Sequence, residues 1–138
     1  MLTLFSDTTN TRQVSLTNGA ETVTLTIERP PLLFGSILDR ALPLGDEGTP
    51  QHDYRLQLRT VLWAAEGLRP TKPLPPAPAI DAGADAWQDY AENVAELFQV
   101  AGLRTSHVRE LASAALDLTI GNPETPNLKR ALDAAGNG

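Results

Sequence analysis

The chain has 138 residues, 41% of them apolar but with only two Trp, two Tyr and three Phe, and carries a formal net charge of −6. That length suits one compact domain or two very small ones, with a core built mainly from Leu and Ala. The lack of cysteine excludes disulfides, thiolate metal ligands and thiol catalysis, and the acidic balance argues against a general nucleic-acid or acidic-membrane binder.

The first thirty residues read as strands. Val14 and Leu16, then Val23, Leu25 and Ile27, alternate with Ser15, Thr17, Thr22, Thr24 and Thr26, the period of a half-buried sheet. An Asn18-Gly19 two-residue turn would set Leu16 opposite Glu21. A four-residue loop, Asn18 to Glu21, instead pairs Leu16 with Val23 and Val14 with Leu25, and faces Ser15 and Thr17 with Thr24 and Thr22. This register keeps one face apolar, so it is the one expected. Leu2, Leu4 and Phe5 suggest a short third strand.

Pro30-Pro31 closes the strand unit, because neither residue donates to a ladder. A short helix is predicted over Leu32 to Leu42, stopped by Pro43. Thr49-Pro50, with Asp53 in the first turn, is a helix start. Tyr54, Leu58, Val61, Leu62 and Ala65 then form one stripe, and Gly67 and Pro70 mark the end. Residues 70–78 hold five of the eleven prolines and are expected as an extended, polyproline-like strap.

Beyond the strap, Asp85 is the expected cap of a helix carrying Trp87, Tyr90, Ala91, Val94, Leu97, Phe98 and Ala101, with Gln88 at the capping-box position and Gly102 as its stop. Thr105 or Ser106 caps the next, with Val108, Leu111, Ala112, Ala115 and Leu116 on one side. Thr125-Pro126 starts a third, with Leu128 and Leu132 one turn apart. The fold class expected is α+β. An N-terminal hairpin with two helices (1–69) is joined by a Pro-rich linker (70–84) to a C-terminal three-helix unit (85–138).

Chemistry-bearing constellations are sparse. His52 lies beside Asp53, and His107 has Glu110 one turn on, where a carboxylate orients a base or the pair offers two metal ligands. Both histidines read more simply as solvated first-turn residues. Asp89, Glu92 and Glu96 cluster on a helical wheel but lack the alternating ligands and glycine turn of a calcium loop, and read as a wet helix face. Gly35-Ser36 lacks the second glycine of a nucleophile elbow, and no phosphate-binding glycine motif occurs. An enzyme is not expected, and no catalytic, metal or cofactor residue is assigned. No apolar run reaches a bilayer span, and no basic and then apolar region follows Met1, so a cleavable signal is not expected.

Residues 97–120 permit a helix-turn-helix, with Gly102 at the turn and Arg104, Ser106, His107 and Arg109 at the start of the second helix. Against it, residues 85–138 hold eight acids and four bases, a balance that repels phosphate. More informative are Leu56 and Trp63, seven residues apart and nearly opposite the core stripe of their helix. A second apolar stripe is either covered from within, for instance by Pro73 to Pro78, or offered to a partner, so Leu56 and Trp63 are the expected partner-binding residues. The hairpin edge is a second docking surface.

Three stretches, VSLTNGAETVTLTIE, RPPLLFGSILDRALP and the acidic helical end from WQDYAENVAELFQVAGL to VRELASAALDL, resemble in outline the small morphogenesis proteins of tailed bacteriophages, particularly tail-assembly chaperones. A minor virion or head–tail connector component fits the same outline. The resemblance implies a non-enzymatic accessory protein that binds another phage structural protein, without cofactor. Self-association is the other partnership expected, while the acidic balance and the short apolar runs leave nucleic acid and membrane unexpected. Its place would be the host cytoplasm, with the virion as a second location.

Overall fold

Strands β1 (Thr11–Asn18) and β2 (Glu21–Glu28) pair antiparallel in the computed structural model, which describes residues 11–120. The expected third strand at Leu2, Leu4 and Phe5 and the expected helix at Leu128 and Leu132 lie outside the described residues. Leu16 opposes Val23, Val14 opposes Leu25, and Ser15 opposes Thr24, which is the register read from the alternation. The loop is tighter than expected. Asn18 pairs with Glu21, leaving only Gly19 and Ala20 in the turn, and Gly19 takes φ +66°. Glycine with positive φ at the first central position is what a type II′ turn requires, and such turns match the strand twist.

The helices are α1 (Phe34–Ala41), α2 (Pro50–Leu68), α3 (Ala84–Val100) and α4 (Thr105–Ile120), with a single 3₁₀ turn at Ile80–Ala82. α1 begins two residues later than the apolar run suggests, because the Phe34 N–H is turned back to the Pro31 carbonyl. α2 starts as its sequence dictates: the Thr49 hydroxyl accepts from the His52 N–H at 3.2 Å, ahead of Pro50 at the first helical position. At α3 the expected Asp85 cap is displaced. Gly83, at φ +100°, occupies the cap without a side-chain bond, and Asp85 falls inside the first turn, where its charge still complements the helix dipole. The chain arrives from the 3₁₀ turn already bent toward α3, since Trp87 Nε1 donates to the Ala79 carbonyl at 3.0 Å.

The buried cluster draws on both sides of the strap. Leu16 and Ile27 of the hairpin, Leu38 of α1, Leu62 of α2, Val94 of α3 and Leu111 and Leu118 of α4 share one core. α2 is its axis: both α3 and α4 meet α2 far more extensively than they meet each other. Tyr54 and Arg69, at opposite ends of α2 and about 22 Å apart by helical rise, bond to Glu92 and Tyr90, only two residues apart on α3. Long side chains from both ends of α2 thus converge on the middle of α3, so α3 crosses α2 rather than running beside it. The strap is fastened to this crossing, with Arg69 donating to the Pro75 carbonyl at 3.0 Å.

Candidate partner-binding groove

Leu56 and Trp63 share a side of α2 by spacing, but their surroundings differ. α1 lies along the row Arg55, Arg59, Trp63, spaced four apart as a helix ridge. Arg55 donates to the Pro43 carbonyl at 2.6 Å, and Arg59 to the Leu42 carbonyl at 2.8 Å and to Asp39 at 2.6 Å. At the far end of the row Trp63 meets Phe34 edge-to-face, with ring centroids 4.9 Å apart and planes at 81°. Its ring also sits 3.5 Å from where a Cβ on Gly35 would stand. Trp63 is therefore half-buried against α1, and the aromatic face it finds is Phe34. Leu56, on the neighbouring row, is left 47% exposed.

Leu56 stands on the wall of a groove of about 990 Å³ between α2, the second half of α3 and the start of α4. Its apolar lining comes from Val61, Phe98, Leu103 and Val108, with Phe98 and Val108 buried in the core behind. Glu92 and Glu96 stand on the α3 wall, and Arg104 and Arg109 at the α4 end. Gln57, Thr60, Gln99 and Thr105 also line it, so the groove mixes an apolar strip with polar side chains and carries opposite charges at two places on its rim. Tyr54 closes one end, donating to Glu92 at 2.5 Å. That bond, with the nearby carboxylate charge and some burial, holds the Tyr54 phenol above its usual range. Glu92 is hence tied to a neighbouring helix, while Asp89 and Glu96 are exposed.

The two histidines differ. His52 is partly covered, with Nδ1 at 3.3 Å from Asp53, at the exposed start of α2. His107 is not the solvated residue expected from its first-turn position: it is only 7% exposed. Its Nδ1 accepts from the Arg104 N–H at 3.0 Å and its Nε2 lies 2.9 Å from the Thr17 carbonyl. One nitrogen must accept and the other donate, so the ring is neutral with its proton on Nε2. It plays the part of the third residue of a capping box at α4 and at the same time pins β1. Local sequence could not show this, since the second partner lies 90 residues away.

As for the helix-turn-helix segment, α4 directs Val108, Leu111, Ala112 and Ala115 into the core, and its first turn is bound to the hairpin through His107. Its outer face is left with Arg109, Glu110, Ser113 and Leu116. Among the described residues no three metal-ligating side chains converge, and no helix is long and apolar enough to cross a membrane. No protein-family model, curated protein or solved structure matches the chain.

Proposed function

We propose that the protein works by shape rather than by covalent chemistry, holding an apolar helical stripe of another protein in the groove beside Leu56. The observation that carries this reading is Leu56 itself, a large apolar side chain 47% exposed on the wall of a groove whose lining includes Val61, Phe98, Leu103 and Val108. Helix-in-groove recognition needs such a floor, with rim charges to set direction. A partner helix bearing a base where it passes Glu92 and Glu96, and an acid where it passes Arg104 and Arg109, fits both ends. The reading is favoured over DNA binding because α4, the helix that would enter the major groove, spends most of its length in the core and offers one exposed base beside one acid. By its resemblance in outline to tail-assembly proteins, the partner is a structural protein of a tailed phage, met in the host cytoplasm.

A photoreactive residue at position 56, with the products of neighbouring genes co-expressed, tests this. Crosslinking to a head, connector or tail protein, abolished by Glu92→Lys with Glu96→Lys, is the expected result. Retention of the wild-type chain on heparin at low salt, with no crosslinked protein, would overturn it.

A further inference from the structure

The two outer edges of the hairpin are not equivalent. In a hairpin with a two-residue turn, the flanking pair Asn18–Glu21 exchanges both backbone bonds, and every second pair outward does the same. Backbone groups of the alternate residues point outward: Thr17 and Ser15 on β1, and Thr22, Thr24 and Thr26 on β2. The bond from His107 to the Thr17 carbonyl agrees with this phase and covers part of the β1 edge. On β2, no hydrogen bond among the described residues reaches the outward N–H and carbonyl groups of Thr22, Thr24 or Thr26.

The middle of β2 carries little that discourages pairing at that edge, its two charges, Glu21 and Glu28, standing at the strand ends. The stretch Thr22–Ile27 (TVTLTI) contains no charge, proline or glycine, and the ladder runs without a bulge from Thr11–Glu28 to Asn18–Glu21. These are devices that natural edges use against association, and between the two end glutamates they are missing. Moreover, the helix-facing side of β2 is unfinished. Val23 is 47% exposed and Leu97 of α3 44% exposed, beside a hollow of about 550 Å³.

The occupant follows from the sequence of the edge. TVTLT reads nearly the same in both directions about Thr24. Laid antiparallel on a second copy about a two-fold axis at Thr24, it sets Thr22 against Thr26, Val23 against Leu25 and Thr24 against itself. The outward backbone groups then coincide in bonded pairs, and the threonine and apolar faces each continue across the junction. Glu21 falls opposite Ile27 of the second copy, so no like charges meet. We propose that the chain forms a two-fold dimer through the outer edge of β2, building a four-stranded sheet centred on Thr24. With both β2 edges consumed and the β1 edges partly covered by His107, the contact closes on itself instead of propagating as a fibre. This surface is separate from the Leu56 groove, and the proposal does not depend on that reading.

Sedimentation of the full chain tests it. The wild-type mass should rise with concentration from 14.8 kDa to twice that value. Thr24→Lys and Thr24→Glu, each placing like charges on the axis, should stay monomeric with unchanged circular dichroism, and an equimolar mixture of the two should recover the dimer. Thr24→Pro should also stay monomeric with the hairpin intact, because the Thr24 N–H faces outward and serves no bond to β1. A wild-type chain that is monomeric at every concentration, a dimer indifferent to these substitutions, or a charge-swapped mixture that fails to associate would each overturn the proposal.

Discussion

Gly67 lies inside α2, one residue before its end, where its sequence position suggests only a helix terminator. The structure gives it another task. A Cβ built there would stand 2.7 Å from Ile27 Cγ2, 3.1 Å from Ala115 Cβ and 3.4 Å from Ile27 Cδ1, so the hairpin, α2 and α4 close on the hydrogen of this residue. Two opposing effects decide what Gly67→Ala does. Helix propensity favours alanine by about 1 kcal/mol. Against this, carbon atoms rest about 3.5–4.0 Å apart, so the new methyl must displace Ile27 by about 1 Å, and both Ile27 and Ala115 are fully buried. Overpacking of this kind costs about 1–3 kcal/mol. Because Cγ2 is bonded directly to the Ile27 branch point, it cannot swing aside as a chain end would, and packing should win by about 1 kcal/mol.

Gly35 in α1 supplies the contrast. Its Cβ would meet Trp63 at an ordinary 3.5 Å, so Gly35→Ala should gain up to about 1 kcal/mol. Urea unfolding of the two variants should therefore shift the midpoint in opposite directions. Ile27→Ala is itself destabilising by about 2–5 kcal/mol, but in that background the clash is gone and Gly67→Ala should become stabilising. A cycle over the two sites should report a coupling of about 2 kcal/mol. If Gly67→Ala stabilises the wild-type chain as Gly35→Ala does, the three-element contact is not as close as described.

Two further outcomes follow from the polar anchors. His107→Ala should cost about 1–3 kcal/mol, since it removes the hydrogen bonds to the Arg104 N–H and the Thr17 carbonyl, both on exposed residues that water can reach. His107→Gln, which can accept and donate, should recover more of the loss than His107→Glu, which can only accept; equal unfolding midpoints for all three would contradict the shared role of the ring. Burial raises the Tyr90 phenol above its ordinary value while the Arg69 guanidinium pulls it down. The unfolded chain therefore loses this proton first, so the stability linked to Tyr90 is complete below the ordinary tyrosine range and declines as pH rises through it. In a Tyr54→Phe background, absorbance titration should find Tyr90 ionising late, and Arg69→Met should push it later while freeing the strap at Pro75; ionisation at the ordinary value in both chains would contradict this.

What the linear sequence determined is whatever depends on neighbours within one or two turns. Alternation of Val, Leu and Ile with Thr set both the hairpin and its register, because slipping by one residue would turn every apolar side chain to water. The hydroxyl of Thr49 and the ring of Pro50 set the start of α2, since capping and proline geometry act within a single turn. Tertiary structure decided which of two similar residues is covered. Leu56 and Trp63 are equivalent on a helical wheel, yet only Trp63 lies where α1 brings Phe34, and Leu56 is left facing the groove. It also turned an apparent stop signal, Gly67, into a contact point and an apparent surface residue, His107, into a buried clasp. Their decisive partners, Ile27, Ala115 and Thr17, sit in distant segments, and no periodicity along the chain reports how closely two distant segments approach.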